Sequence, residues 1–313
     1  MSLEEKKAIL RNGIETMNAL KNLAITRMDE FISPNYVDHT NQLTLEGAKQ
    51  FYTMIFKGFP DYNITAEDII AEGEKVWVHS TTTMTHTGEF RGIAPTGKKI
   101  TITGVNIYRM GEDGKMVEGW SVTDSLNLLK QLGLIEFTEK AKGILPEDVA
   151  SRPSTSRENS KTEKQPSISL KENKAIIRSL YEADNERDWT ILDELISPDF
   201  FEATLRLRGP EAYKQFVGAF FKGFPDWDET ILDIAAEGEK VWVFIKGTGT
   251  HTGEFWGIAP TNEKMTIMMV QMWRVVDGKV VEKRSVADEM EVYKKAGLIK
   301  YTEKGKKLFP KEG

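Results

Sequence analysis

Thr85-His86-Thr87-Gly88-Glu89-Phe90-Arg91-Gly92-Ile93-Ala94-Pro95-Thr96 returns 165 residues later as Thr250-His251-Thr252-Gly253-Glu254-Phe255-Trp256-Gly257-Ile258-Ala259-Pro260-Thr261. Extended back to Lys57 and Lys222, the match covers 40 positions, of which 12 differ and 28 are identical. Chance does not produce that in a non-repetitive chain, so this is one domain written twice. Each functional question can therefore be asked of two copies.

Upstream of the repeat the spacing is helical. Leu3, Leu10, Ile14, Met17 and Leu20 recur with charges between them, predicting a helix over about 3–23. A second short helix is expected to close over Asp29–Ile32, stopped by Ser33-Pro34, and a third to run over about Leu45–Lys57, ended by Gly58-Phe59-Pro60-Asp61. The period then changes. Tyr62–Glu72, Lys75–Thr87, Lys99–Arg109 and Met116–Thr123 read as strands rich in Val, Ile, Trp and Thr, which suit a pleated surface. Ser125–Leu132 closes the copy as a helix ended by Gly133. Copy two repeats the plan, with helices over about 169–187, 189–196 and 210–222, strands between 227 and 286, and a closing helix over 288–296. Its Val276-Asp277-Gly278-Lys279 carries the Asp-Gly signature of a type I′ hairpin.

The expected fold class is α+β: two cone-shaped barrels, each a curved antiparallel sheet wrapped around N-terminal helices. The open end of such a cone is a natural small-molecule pocket. The domains are 1–145 and 168–313, joined by a flexible linker over 146–167 that is rich in Ser, Arg, Lys and Glu.

The 313 residues suit two domains of about 150 residues, each able to bury its own core. A net charge of −6 argues against nucleic acid or an anionic membrane as the partner, since both demand a basic face. No apolar run approaches the length of a membrane helix, and the charged N-terminus does not read as a signal peptide. The chain has no Cys, hence no disulfide, thiolate nucleophile or Cys-based metal site, and a cytoplasmic location is the default. Only four His are present, His39, His79, His86 and His251, too few for a multi-His metal site in each copy. No phosphate-binding loop or dinucleotide turn occurs, so neither a metal nor a cofactor is expected.

Phe59-Pro60-Asp61, the Thr-His-Thr-Gly-Glu-Phe-x-Gly-Ile-x-Pro-Thr run, Tyr108-Arg109 and Asp113-Gly114-Lys115-Met116-Val117-Glu118-Gly119-Trp120 resemble the SnoaL-like polyketide (ester) cyclases. These belong to the nuclear-transport-factor-2-like superfamily. The resemblance covers nearly all of both copies outside the linker. It implies the cone fold and a cofactor-free mechanism, in which a pocket carboxylate removes a carbon-bound proton and an intramolecular aldol closes a ring. By the same resemblance the carboxylate falls at Ser121 and Ser285, and an assisting His falls at Asn106 and Gln271. A hydroxyl cannot act as a general base unaided, and an amide cannot shuttle protons near neutrality. The chain departs from the cyclase pattern at both positions.

The remaining candidates each carry two readings. His86 and His251 are pocket-mouth acid/base groups, or they hold a bend by hydrogen-bonding backbone. His39 enters the pocket as a general base, or is an exposed loop residue; its counterpart is Ala203. His79, matched by Phe244, packs on a sheet face. Asp124 and Asp288 cap the closing helices, or stand in for the missing carboxylate. Asp61 and Asp226 are turn residues. Trp120, replaced by Arg284 in copy two, lines a pocket or a domain face. Tyr108 joins the ligand-binding set.

Three functions follow as expectations. The first is an enzyme acting on a small carbonyl compound, with His39 or His86 as base and Asn106 and Ser121 as donors to an enolate. The second is a non-catalytic binder of a small apolar molecule. The third is an intramolecular pseudo-dimer of the two domains, with vestigial pockets and further self-association.

Overall fold

The computed structural model describes residues 1–142, 169–255 and 257–309. The linker expected over 146–167 and the side chain of Trp256 lie outside the described residues. The chain forms two compact units: Met1–Glu136 with Ile299–Gly313, and Phe137–Leu298.

Unit 1 begins with α1 (Leu3–Leu20), α2 (Asn22–Ile25) and a 3-10 turn at Met28–Glu30. Then follow β1 (Ile32–Asp38), β2 (Leu43–Thr44), α3 (Leu45–Gly58), β3 (Asn63–Glu72), β4 (Lys75–Thr85), β5 (Lys99–Met110), β6 (Met116–Thr123) and α4 (Ser125–Leu132). The chain continues through β7 (Ile135–Phe137) and α5 (Glu139–Lys142). Copy two runs α6 (Leu170–Glu186), α7 (Leu192–Leu195), β8 (Ile196–Glu202), β9 (Leu207–Arg208), α8 (Gly209–Gly223), β10 (Asp228–Glu237), β11 (Lys240–Thr250), β12 (Lys264–Val276), β13 (Lys279–Asp288) and α9 (Met290–Lys295). It ends in β14 (Ile299–Tyr301) and α10 (Glu303–Leu308).

Each long first helix starts on a capping box. Ser2 accepts from the Glu5 amide while Glu5 accepts from the Ser2 amide, and Ser169 and Glu172 do the same. The strand order is β2-β1-β6-β5-β4-β3 in unit 1, and β10-β11-β12-β13-β8-β9 in unit 2. The Asp277-Gly278 turn has φ of 49° and 79°, the doubly positive geometry expected of its sequence.

The core of each unit sits between its helices and one face of its curved sheet. In unit 1 Leu10, Met17, Ile55 and Phe56 from the helices meet Val76, Val78 and Ile100 from the strands. In unit 2 Ile177, Leu180, Val217 and Phe221 meet Val241, Val243 and Met265. This face is the inner face of the cup.

Two features differ from the sequence reading. Residues 32–38 and 196–202 form strands, β1 and β8, which run parallel to β6 and β13. The short tails also carry structure: Ala141 on α5 joins the core of unit 2, and Leu308 on α10 packs on the core of unit 1.

Candidate functional site

Period-two alternation decides which side chains enter each cup. In unit 1 it brings Asn106 and Tyr108 of β5 to the inner face, opposite Ser121 and Gly119 of β6. Gly119 in turn pairs with Asp38 of β1. Tyr36, Asp38, Asn106, Tyr108 and Ser121 therefore share one face across three neighbouring strands. A Cβ at Gly119 would lie 2.1 Å from the Tyr36 hydroxyl, so only glycine lets that phenol cross β6. Tyr52 of α3 and Tyr62 face the same space. Asn106, Tyr108, Ser121, Asp38 and Tyr52 are all half-buried, as inward-facing residues of an open cup must be.

The phenols of Tyr52 and Tyr108 are held protonated. Burial raises Tyr52 above the ordinary phenol value and Tyr108 well above it, and the neighbouring negative charge of Asp38 adds to both. Asp38 is oriented by its own turn. Its Oδ1 accepts from the amides of Thr40 (2.9 Å) and Asn41 (2.8 Å), and its Oδ2 accepts from the Asn41 side chain (3.0 Å). Thr40 ties this turn to β6, accepting from the Ser121 amide at 2.8 Å.

His39 and Trp120 fall on the opposite face. Their rings stack with centroids 4.6 Å apart, Lys75 Nζ lies 5.1 Å from the Trp120 ring, and His39 is exposed beside Glu118. The expectation that His39 enters the cup does not match this placement. Asp38, one residue earlier, takes the inward position, and alternation turns His39 out. Arg284 is likewise on the outer face, its Nε donating to Glu282 at 2.8 Å.

His86 and His251 lie in the bend, away from Asn106, Ser121, Gln271 and Ser285. Their Nδ1 atoms contact Thr96 and Thr261 Oγ1 at 3.1 and 3.2 Å, and their rings pack on Phe59 and Phe224. Burial lowers both imidazoles below the usual range, helped by the charges of Lys304 and Lys140 respectively. The repeated Thr-Gly that follows each His is a staple. Both amides, Thr87 and Gly88 or Thr252 and Gly253, donate to the carbonyl of Gly58 or Gly223 at a helix end. Asp124 caps α4 through the Asn127 amide, while Asp288 is exposed and accepts from the Met290 amide at 3.4 Å. Asp61 and Asp226 each bind the amide and hydroxyl of one threonine, Thr85 or Thr250.

Unit 2 builds a different interior. Gln271 pairs with Ser285, and Trp273 with Lys283, on the inner face. The Tyr181 hydroxyl donates to Gln271 Oε1 at 2.8 Å. The Tyr213 hydroxyl donates to Asp184 Oδ2 at 3.0 Å. Lys283 is buried, its Nζ 5.0 Å from the Trp273 ring and 5.5 Å from the Tyr213 ring. Burial and the charge of Glu229 push the Asp184 carboxyl up to about 7, opposed by the Tyr213 hydrogen bond and the Lys283 charge. Burial also raises Glu229, opposed by Lys283.

The sequence reading missed Asp184, Glu229 and Lys283. A signal was available in the repeat itself. Asn18 and Asn185 make the same two backbone bonds, to Ile64 and to Glu229, which fixes the equivalence of the copies there. The residues of copy one at the three positions are Met17, Ile64 and Gly119, so charge has replaced apolar or absent side chains at inward positions.

Among the described residues no group of three or more His, Asp or Glu is placed to hold a metal ion, and no helix is long and apolar enough to cross a membrane. A groove of about 360 Å³ lies on the outer side of α3, lined by Gln50, Thr53, Met54, Lys57, Glu89 and Arg91. It contains none of the candidate residues above.

Helices packed over a curved sheet, with polar side chains on the inner face of that sheet, make an α+β fold present here twice. The family model for the SnoaL-like polyketide cyclases matches residues 14–132 and again 174–296. The chain belongs to that family, in tandem. It is 31% identical over 103 residues to the nogalonic acid methyl ester cyclase of Streptomyces nogalater, spanning 31% of this chain and 76% of that protein. It is 29% identical over 109 residues to the aklanonic acid methyl ester cyclase DauD of Streptomyces sp. (strain C5), spanning 34% and 67%. Among solved structures, AclR from Streptomyces galilaeus aligns at 30% identity with a TM-score of 0.39, covering 42% of this chain and 98% of AclR.

Proposed function

We propose that the chain is a cofactor-free enzyme of the cyclase type, acting on a small carbonyl compound in the open cup of unit 1. The observation that carries this reading is the inward position of Asp38. A carboxylate stands on the strand next to Ser121, where the family's base is expected on β6 itself. In this account Asp38 removes a proton from the carbon beside a carbonyl. The electron pair moves onto that oxygen, where Asn106 and Ser121 donate hydrogen bonds to it. The enolate carbon then adds to a second carbonyl of the same molecule, and the new alkoxide takes the proton held by Asp38, which restores the carboxylate. The half-buried Tyr52 and Tyr108 rings supply flat apolar surface for an aromatic substrate.

The methyl esters of aklanonic and nogalonic acid, named for the relatives, are the substrates to try first. Asp38→Asn should lower turnover by about 10²-fold or more, the usual scale of general-base help. Turnover unchanged in that variant sinks the assignment. A second reading, a non-catalytic binder, is favoured by the three local hydrogen bonds of Asp38, which would serve a turn equally well. Tight binding without turnover in the unmodified chain would select it. A cytoplasmic location and a ligand other than nucleic acid remain part of the proposal, supported by the absence of cysteine and the net charge of −6.

A further inference from the structure

Gly133-Leu134-Ile135-Glu136-Phe137-Thr138-Glu139-Lys140-Ala141-Lys142 returns as Gly297-Leu298-Ile299-Lys300-Tyr301-Thr302-Glu303-Lys304-Gly305-Lys306. We infer that these two tails are docking segments, each addressed to the other copy: the tail of copy two is a removable strap on unit 1, and the tail of copy one is its counterpart on unit 2. The inference is independent of any chemistry in the cup.

The two docking surfaces are built alike. In unit 1 the Thr302 amide donates to the Leu134 carbonyl at 2.9 Å, and the Thr302 hydroxyl donates to the Gly133 carbonyl at 2.8 Å. In unit 2 the Thr138 amide donates to the Leu298 carbonyl at 2.9 Å, and its hydroxyl to the Gly297 carbonyl at 2.9 Å. A threonine from one copy thus clasps the Gly-Leu that follows the closing helix of the other. The apolar contacts follow the same exchange. Leu308 packs on the core of unit 1, while Phe137 and Ala141 pack on that of unit 2. Two hydrogen bonds and a few apolar side chains are a small part of what holds a unit together, so a strap can open while the unit stays folded.

One residue in each strap sets the address. In α10 it is Gly305, which is buried. A Cβ there would lie 2.0 Å from the Leu134 carbonyl oxygen, far inside van der Waals contact. The same position in the other tail is Ala141, fully buried in the core of unit 2. The methyl group that fills the unit 2 surface is therefore shut out of the unit 1 surface. A tail of copy one folded back onto its own copy would press that methyl against Leu134, and this clash favours the exchange.

Each strap also reaches the histidine bend of the unit it covers. Burial lowers the His86 imidazole, and the charge of Lys304 lowers it further. Lys140 does the same for His251. A lysine encoded in one copy acts on the histidine of the other.

The test is hydrogen exchange read by mass spectrometry on the full chain, resolved to peptides covering residues 86–98 and 251–263. Gly305→Ala should speed exchange over 86–98 by about tenfold or more and leave 251–263 unchanged, although residue 305 is encoded in copy two. Thr302→Val removes the hydroxyl and keeps the side-chain shape, so it should act on the same segment more weakly; it decides the matter if Gly305→Ala does not fold. Lys304→Met leaves both threonine clasps in place. In that variant the His86 titration, followed by NMR, should move upward while that of His251 stays where it is. Faster exchange over 251–263 in a folded variant, at both bends alike, or at neither overturns the inference. A His86 titration unmoved by Lys304→Met overturns it as well.

Discussion

The Tyr213 hydroxyl donates a 3.0 Å hydrogen bond to Oδ2 of Asp184, and unit 1 has neither partner. Ala48 and Met17 occupy those positions. The duplicated fold kept its walls and changed its filling. Unit 1 presents half-buried phenols and a carboxylate on a strand. Unit 2 encloses a carboxyl, a lysine and a glutamate around buried aromatic rings. Helix–sheet packing in each unit relies on the apolar stripes common to both copies, which leaves the polar inward positions free to diverge.

The buried Asp184 makes unit 2 sensitive to alkali. The folded carboxyl keeps its proton up to about 7, whereas an unfolded aspartic acid releases it near about 3.9. Between those values the folded state binds more protons, so the contribution of this group is fully present below about pH 4 and fades as pH rises to about 7. The whole effect is on the order of 4 kcal/mol. Asp184→Asn should therefore flatten the rise in stability on acidification and raise the melting temperature at mildly alkaline pH. Denaturation curves of both proteins at several pH values check it.

His86 and His251 act with the opposite sign. Burial lowers both imidazoles, so the unfolded state binds more protons below about 6.5. Their contribution is present above that pH and is lost as pH falls. In the Asp184→Asn background, melting temperature should drop on acidification. Replacing both histidines with Gln should reduce that drop while lowering stability at neutral pH, where the ring packing on Phe59 and Phe224 is lost.

Gly88 and Gly253 are irreplaceable for a steric reason. A Cβ at either would lie 1.9 Å from a backbone oxygen, that of Lys57 or Lys222. Gly88→Ala should cost about 1–3 kcal/mol, the usual range for overpacking against a rigid neighbour. The same change at Gly253 should cost a similar amount. Equal stability of wild type and variant in urea titrations would show that the staple is dispensable.

Asp61 and Asp226 hold the ends of β4 and β11. Each places one oxygen on a threonine amide at 2.6 Å and the other on the hydroxyl of the same residue, at 2.6 Å for Thr85 and 2.7 Å for Thr250. Charge-assisted bonds at an exposed site should be worth about 1–2 kcal/mol together. Asp61→Ala should lower stability by that amount, and Asp61→Asn by less, because one acceptor survives. Urea midpoints of the two variants separate the cases.

Much of the fold was legible because it is written in local patterns. The 3.6-residue spacing of Leu10, Ile14 and Met17 marks α1, and the alternation of Val76, Val78 and Met84 marks β4. The turn at Asp277-Gly278 follows from backbone sterics alone. Strands β1 and β8 were not legible. Ile32-Ser33-Pro34-Asn35-Tyr36-Val37-Asp38 has no strand-like run, and becomes one only by parallel pairing with β6, some eighty residues away. The short tails were missed for a related reason. Three residues such as Ile135–Phe137 carry too little pattern to announce a strand before a partner is in place.

The candidate sites divide along the same line. Repetition, helix spacing and turn chemistry are properties of residues close in sequence, and the amino-acid order settles them unaided. Whether Asp38 or His39 points inward depends on the register between β1 and β6. Whether Asp184, Glu229 and Lys283 meet depends on a helix and two distant strands packing together. Those outcomes belong to the tertiary structure, because burial and pairing between remote segments, not propensity, place the side chains and shift their protons.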